Sequence, residues 1–184
     1  MKKTLTMILA FALVFALGVG GTLAWLTATD DPITNTFTTS DITVELAETK
    51  SNFQMVPGHT IDKDPKVTVG GDVDAYVFVK VEESENYDEY MTYAIAEGWT
   101  LVPGQTNVYY LTVAKDATIK TFSVLANDQV TVLGSVTKAD MEDAKTSAPT
   151  LTFTAYASQM KQNADTTFSP EQAWANVANP EQAY

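Results

Sequence analysis

Val73-Asp74-Ala75-Tyr76-Val77-Phe78-Val79-Lys80-Val81 is the stretch whose reading decides the fold. Apolar residues alternate along it, so an extended chain puts Ala75, Val77, Val79 and Val81 on one face. Tyr76 and Phe78 occupy the other face, which predicts that a second layer covers it and that the strand is central. Upstream, Gly70-Gly71-Asp72 reads as a turn after a strand over Lys66–Val69, and Val56–Pro65, broken at both prolines, reads as the turn before that. Downstream, Ser84–Ala96 is the first helical candidate, with Glu85, Asp88 and Glu89 near its start and Gly98 placed to end it.

Strand patterns resume over 107–113, 118–125, 129–136 and 150–158, with a short helix predicted over Thr137–Ala144. Ser169-Pro170-Glu171-Gln172 has the form of a capping box, a hydroxyl at the N-cap and glutamine three residues on, opening a helix through Ala178. Short β-rich segments with a few helical insertions predict an all-β chain folded as an antiparallel two-sheet sandwich.

The N-terminus has a different character. Lys2 and Lys3 precede an apolar run from Leu5 to Val19, and Thr22 and Ala24 are small residues at the third and first positions before a cut ahead of Trp25. Residues 1–24 are therefore expected to be a secretory signal peptide removed by a signal peptidase, with an uncleaved anchor reaching Leu26 as the alternative. Residues 25–40 follow as an arm, and 41–184 as the sandwich domain. Ile33 and Phe37 share one strand face, whereas Ile42, Val44 and Leu46 have the opposite parity. The pattern slips at Thr39-Ser40-Asp41, which requires either a bulge or an arm that pairs with something other than the strand after it.

Eleven lysines face twenty-three carboxylates, a net charge of -12, and there is no arginine. Such a chain lacks the basic surface and the guanidinium forks that nucleic acid requires. The absence of cysteine excludes disulfide staples and thiolate chemistry. A zinc hydrolase needs about three protein ligands, yet His59 is the only histidine and no HExxH occurs, so His59 reads as a turn residue. Asp62, Asp64, Asp72 and Asp74 are weaker candidates for calcium, since their spacing is not that of an EF-hand. The run Glu82, Glu83, Glu85, Asp88, Glu89 reads as a solvated helix face. Trp99, Tyr109 and Tyr110 could stack on sugars if exposed, and otherwise belong to the core. Trp174 and Trp25 sit towards the two ends. No cofactor is expected.

Five segments carry a family resemblance: the junction GGTLAWLT, the following TNTFTTSDITVEL, the turn PGHTIDKDPKVTV, the strand VDAYVFVKVEES and the late PTLTFTAYA. Together they resemble the TasA and camelysin family of secreted Gram-positive surface proteins. The resemblance implies a jelly-roll β-sandwich, release by a dedicated signal peptidase, and assembly into extracellular biofilm-matrix or cell-surface fibres, in which an N-terminal strand of one subunit completes a sheet of its neighbour. It makes other copies of the chain, or a related matrix protein, the expected partners, with membrane contact only before cleavage. It also raises a rival, because camelysin-like proteins are classed as metalloproteases. A calcium- or carbohydrate-binding surface adhesin is the third alternative.

Overall fold

The chain divides between Thr38 and Thr39. The second unit is the sandwich, and the computed structural model describes it over residues 42–49 and 53–178. Rich in valine, threonine and tyrosine, residue types that fit a pleated half-buried surface, it forms ten strands among the described residues. They are β1 (Thr43–Ala47), β2 (Thr60–Asp62), β3 (Lys66–Gly70), β4 (Ala75–Glu83), β5 (Met91–Ile95), β6 (Thr100–Leu101), β7 (Val108–Val113), β8 (Thr121–Ser123), β9 (Leu125–Val132) and β10 (Leu151–Gln159). Three helices accompany them: α1 (Tyr87–Tyr90), α2 (Lys138–Asp143) and α3 (Pro170–Ala178). None of these is long and apolar enough to cross a membrane.

Every ladder is antiparallel, and hydrogen bonding divides the strands into three sheets, β1-β3-β8, β2-β9-β5 and β10-β4-β7-β6. The first two are one ribbon with a bend. β2 runs into β3 and β8 into β9, while the amide of Lys63 donates to the Asp128 carbonyl at 2.7 Å and that of Val124 to the Pro65 carbonyl at 2.9 Å. Across this joint Lys63–Pro65 opposes Val124–Asp128, a segment two residues longer. The surplus is absorbed by Asn127 and Asp128, at φ 58° and 55°. Both types tolerate the left-handed region, so the strand bulges and continues. The expected sandwich is thus realised as a bent layer, β1–β2/β3–β8/β9–β5, packed on a second, β10-β4-β7-β6. Early strands pair with late ones in both layers, which is jelly-roll wiring.

β4 is interior to its sheet, as its alternation predicts. Ala75, Val77, Val79 and Val81 enter the core between the layers, where they meet Val67 and Val69 of β3. Val67, Val77 and Val79 are fully buried, each worth about 1.5–3 kcal/mol of transfer free energy. Tyr76 and Phe78 face the other way, beneath α3, whose Trp174 lies 5.5 Å from the Phe78 ring. The capping box holds: Gln172 N–H donates to Ser169 Oγ at 3.3 Å, and Ser169 N–H donates to Gln172 Oε1 at 2.9 Å. The short helix expected near Thr137 also forms, with Thr137 and Asp140 capping each other.

Two expectations are corrected. The helix predicted over Ser84–Ala96 is confined to Tyr87–Tyr90, and Met91–Ile95 is strand β5. Met91, Tyr93 and Ile95 alternate inward, and pairing with β9 buries Tyr93 and Ile95 against the inter-layer core, which outweighs a weak helical preference. Gly98, at φ +96°, accordingly serves the turn into β6 rather than a helix end. The strands expected over 118–125 and 129–136 are instead β8 and β9, because Asn127-Asp128 bends the chain without breaking it.

Candidate assembly site

Strand edges are the chemically unfinished parts of a sandwich, since each presents a row of unpaired N–H and C=O groups. Three of the four edges among the described residues are short: β6 has two residues, and β1 and β5 have five each. β10 is the exception at nine residues, paired with β4 from Leu151↔Glu83 to Gln159↔Ala75 and with no second partner among the described residues. Its sequence, LTFTAYASQ, contains neither charge nor proline. Lysine, proline and inward charges are the usual means of blunting an edge, and β10 has none of them.

β10 lies against β1 across the layers, without a ladder between them among the described residues. The two strands form a seam. Val44 and Leu46 from β1, and Leu151, Phe153, Ala155 and Ala157 from β10, all reach the inter-layer core but stay half-buried. β1 is held in place at its C-terminal end. Lys63, 9% exposed, puts Nζ 2.8 Å from Glu48 Oε1 and 5.0 and 5.5 Å from the ring centroids of Phe53 and Phe153. Next to it Asp64 Oδ1 accepts from Thr49 N–H at 3.1 Å and from Thr49 Oγ1 at 2.8 Å. Hydrogen bonding by the Thr49 side chain, then by its amide, holds the Asp64 carboxyl below its ordinary pKa.

Thr22, Ala24 and Trp25 at the expected cleavage site, Ile33 and Phe37 of the arm, and the slip at Thr39–Asp41 all lie outside the described residues. The other candidates are placed. Asp62 and Asp64 precede the start of β3, whereas Asp72 and Asp74 follow its far end, so the four do not converge. Asp62 Oδ1 accepts from Gln129 Nε2 at 3.3 Å, and Asp74 Oδ1 accepts from the Lys115 amide at 3.0 Å. No three His, Cys, Asp or Glu side chains come together among the described residues. His59 is exposed and closes a turn in which its N–H donates to the Val56 carbonyl at 3.0 Å. Pro57 at the second position and Gly58 at φ +76° at the third make that turn type II.

The aromatic candidates pack. Trp99 Nε1 donates to the Ser123 carbonyl at 2.8 Å, and Tyr109 joins the inter-layer core. Tyr110 sits edge-on to Tyr76, and Trp174 sits on Phe78 and Tyr156. Of the acidic run, Glu82 and Glu83 end β4, Glu85 lies in the connection and Asp88 and Glu89 in α1, and Glu83 accepts a hydrogen bond from Tyr93 Oη. Sequence reasoning missed Lys63 and Glu48 as a pair, because the signal in IDKDP is that of a turn and nothing in it reveals the rings that cover the lysine. Comparison of the chain with protein-family models, with curated proteins and with solved structures finds no match.

Proposed function

We propose that this protein is a secreted structural subunit of extracellular matrix or cell-surface fibres, and that it assembles by donating its N-terminal arm, residues 25–40, to the sandwich of a neighbouring copy. The observation that most supports this is β10, a nine-residue, uncharged edge strand bounded by a half-buried seam. A donated strand would satisfy its outward backbone groups and cover the half-buried side chains by β-augmentation. Ile33 and Phe37, on one face of the arm, are the apolar anchors. A head-to-tail contact of this kind is heterologous and propagates as a filament unless the rotation closes it. Removal of residues 1–24 would free the arm, so proteolysis and assembly are coupled.

The test compares the chain Trp25–Tyr184 with one beginning at Thr39, both checked for folding by circular dichroism, by size-exclusion chromatography and negative-stain microscopy over time. Filaments from the first and monomers from the second are expected. Two persistent monomers would remove the support for self-assembly.

A further inference from the structure

At the end of the seam, where β10 begins, the molecule has a cavity of about 480 Å³. Phe53, Met55, Ile61, Met91, Val130 and Leu151 give it an apolar wall. Lys63, Tyr87 and Thr150 interrupt that wall. Lys63 is already neutralised by Glu48 and stacked on aromatic rings, so it offers no spare charge. The Tyr87 hydroxyl is itself buried, with no hydrogen-bond partner among the described residues, so it is out of an occupant's reach. The cavity therefore suits an uncharged occupant with an apolar body, which describes an aromatic side chain on an uncharged strand.

The chain contains such a segment outside the described residues. Pro32–Ser40, PITNTFTTS, is uncharged and flanked by Asp31 and Asp41. On a molecule of net charge -12 an uncharged stretch can approach Glu48, Glu83 and Asp64 without repulsion. Phe37 is its aromatic residue. We infer that this cavity is the anchor pocket for Phe37 of a second copy. This rests on the strand-donation reading and adds to it the place where the arm is gripped.

The absence of cysteine makes the test direct. A mature chain carrying Phe37→Cys is mixed with one carrying Met55→Cys, oxidised mildly, and analysed by non-reducing electrophoresis and mass spectrometry. A crosslinked heterodimer is expected. Substituting Ile119→Cys, in an exposed loop before the far end of the β3–β8 ladder, for Met55→Cys should lower the yield at least tenfold. Filling the cavity with Ile61→Trp or, should that variant misfold, Leu151→Trp is expected to slow filament growth at least tenfold. Filaments that form normally with no Phe37–Met55 crosslink would overturn the pocket and leave strand donation standing. A crosslink confined to single copies carrying both substitutions would overturn the second-copy assignment. Absence of filaments and crosslink alike would overturn both readings.

Discussion

β4 and β10 are neighbours in one ladder, each nine residues long, and they differ in the number of sides on which they are covered. β4 has β7 on its other edge, valines from the facing layer on one face and α3 over the other, so Tyr76, Val77, Phe78 and Val79 are all buried. β10 alternates just as well, yet Leu151, Phe153, Ala155 and Ala157 remain half-buried. Alternation alone does not bury a side chain; a covered edge is also needed. Among the described residues, the difference marks where a strand of this sheet is covered on both edges and where it is covered on one.

The sharpest way to break the comparison is to remove one ring from each strand. Phe78→Ala, at a fully buried position against Trp174, is expected to cost about 3–5 kcal/mol, measured by urea denaturation. Phe153→Ala, at a half-buried position, is expected to cost about 2 kcal/mol in the monomer, in proportion to the area it hides. It should slow filament growth by far more than that loss implies. Equal costs for the two substitutions would show that β10 is as complete as β4.

The pair that holds the seam comes next. Glu48→Ala leaves the Lys63 ammonium largely buried without its carboxylate, and about 1–3 kcal/mol of stability should be lost. Adding Lys63→Met to the same chain removes the stranded charge while keeping the apolar contact with Phe53 and Phe153, and should recover most of that loss. A double variant no more stable than Glu48→Ala would mean that the rings, and not the ion pair, hold this corner.

On the covered side, Ser169→Ala removes the oxygen that accepts from the Gln172 amide and should cost about 1 kcal/mol. The loss is expected to appear in the fluorescence of Trp174 on thermal melting, since α3 is the lid over Phe78. No change in that signal would separate the cap from the packing.

These elements were not equally legible in the sequence. β4 and α3 could be read directly because each carries its own periodic or capping signal, and the pattern of β4 even implied the layer that α3 supplies. β5 could not, because Met91-Thr92-Tyr93-Ala94-Ile95 supports either a helix turn or a strand until β9 lies beside it. The bend at Asn127-Asp128 looked like a turn for the same reason: local preference says that the backbone deviates, not whether pairing resumes beyond it. Of the candidate site, the alternation of β10 was visible, but its having one partner among the described residues was not. An edge is defined by what fails to pair with it, and that depends on strands remote in sequence.

The smallest expected effect lies at the Asp64–Thr49 contact, at the C-terminal end of β1. Asp64 is more acidic folded than unfolded, so the contact contributes stability above the unfolded value, about 3.9 for an aspartate. That contribution is lost as pH falls through the lower folded value. Asp64→Asn imitates the protonated carboxyl at every pH. Its urea midpoint should therefore fall below that of the parent at about pH 7 and approach the parent's at about pH 3. Glu48 and Lys63 beside the contact are unchanged in both proteins, so they drop out of the difference. A gap between variant and parent that stays constant over this range would assign the contact to hydrogen bonding that is indifferent to charge. The end of β1 would then owe its position to the Lys63 cluster alone.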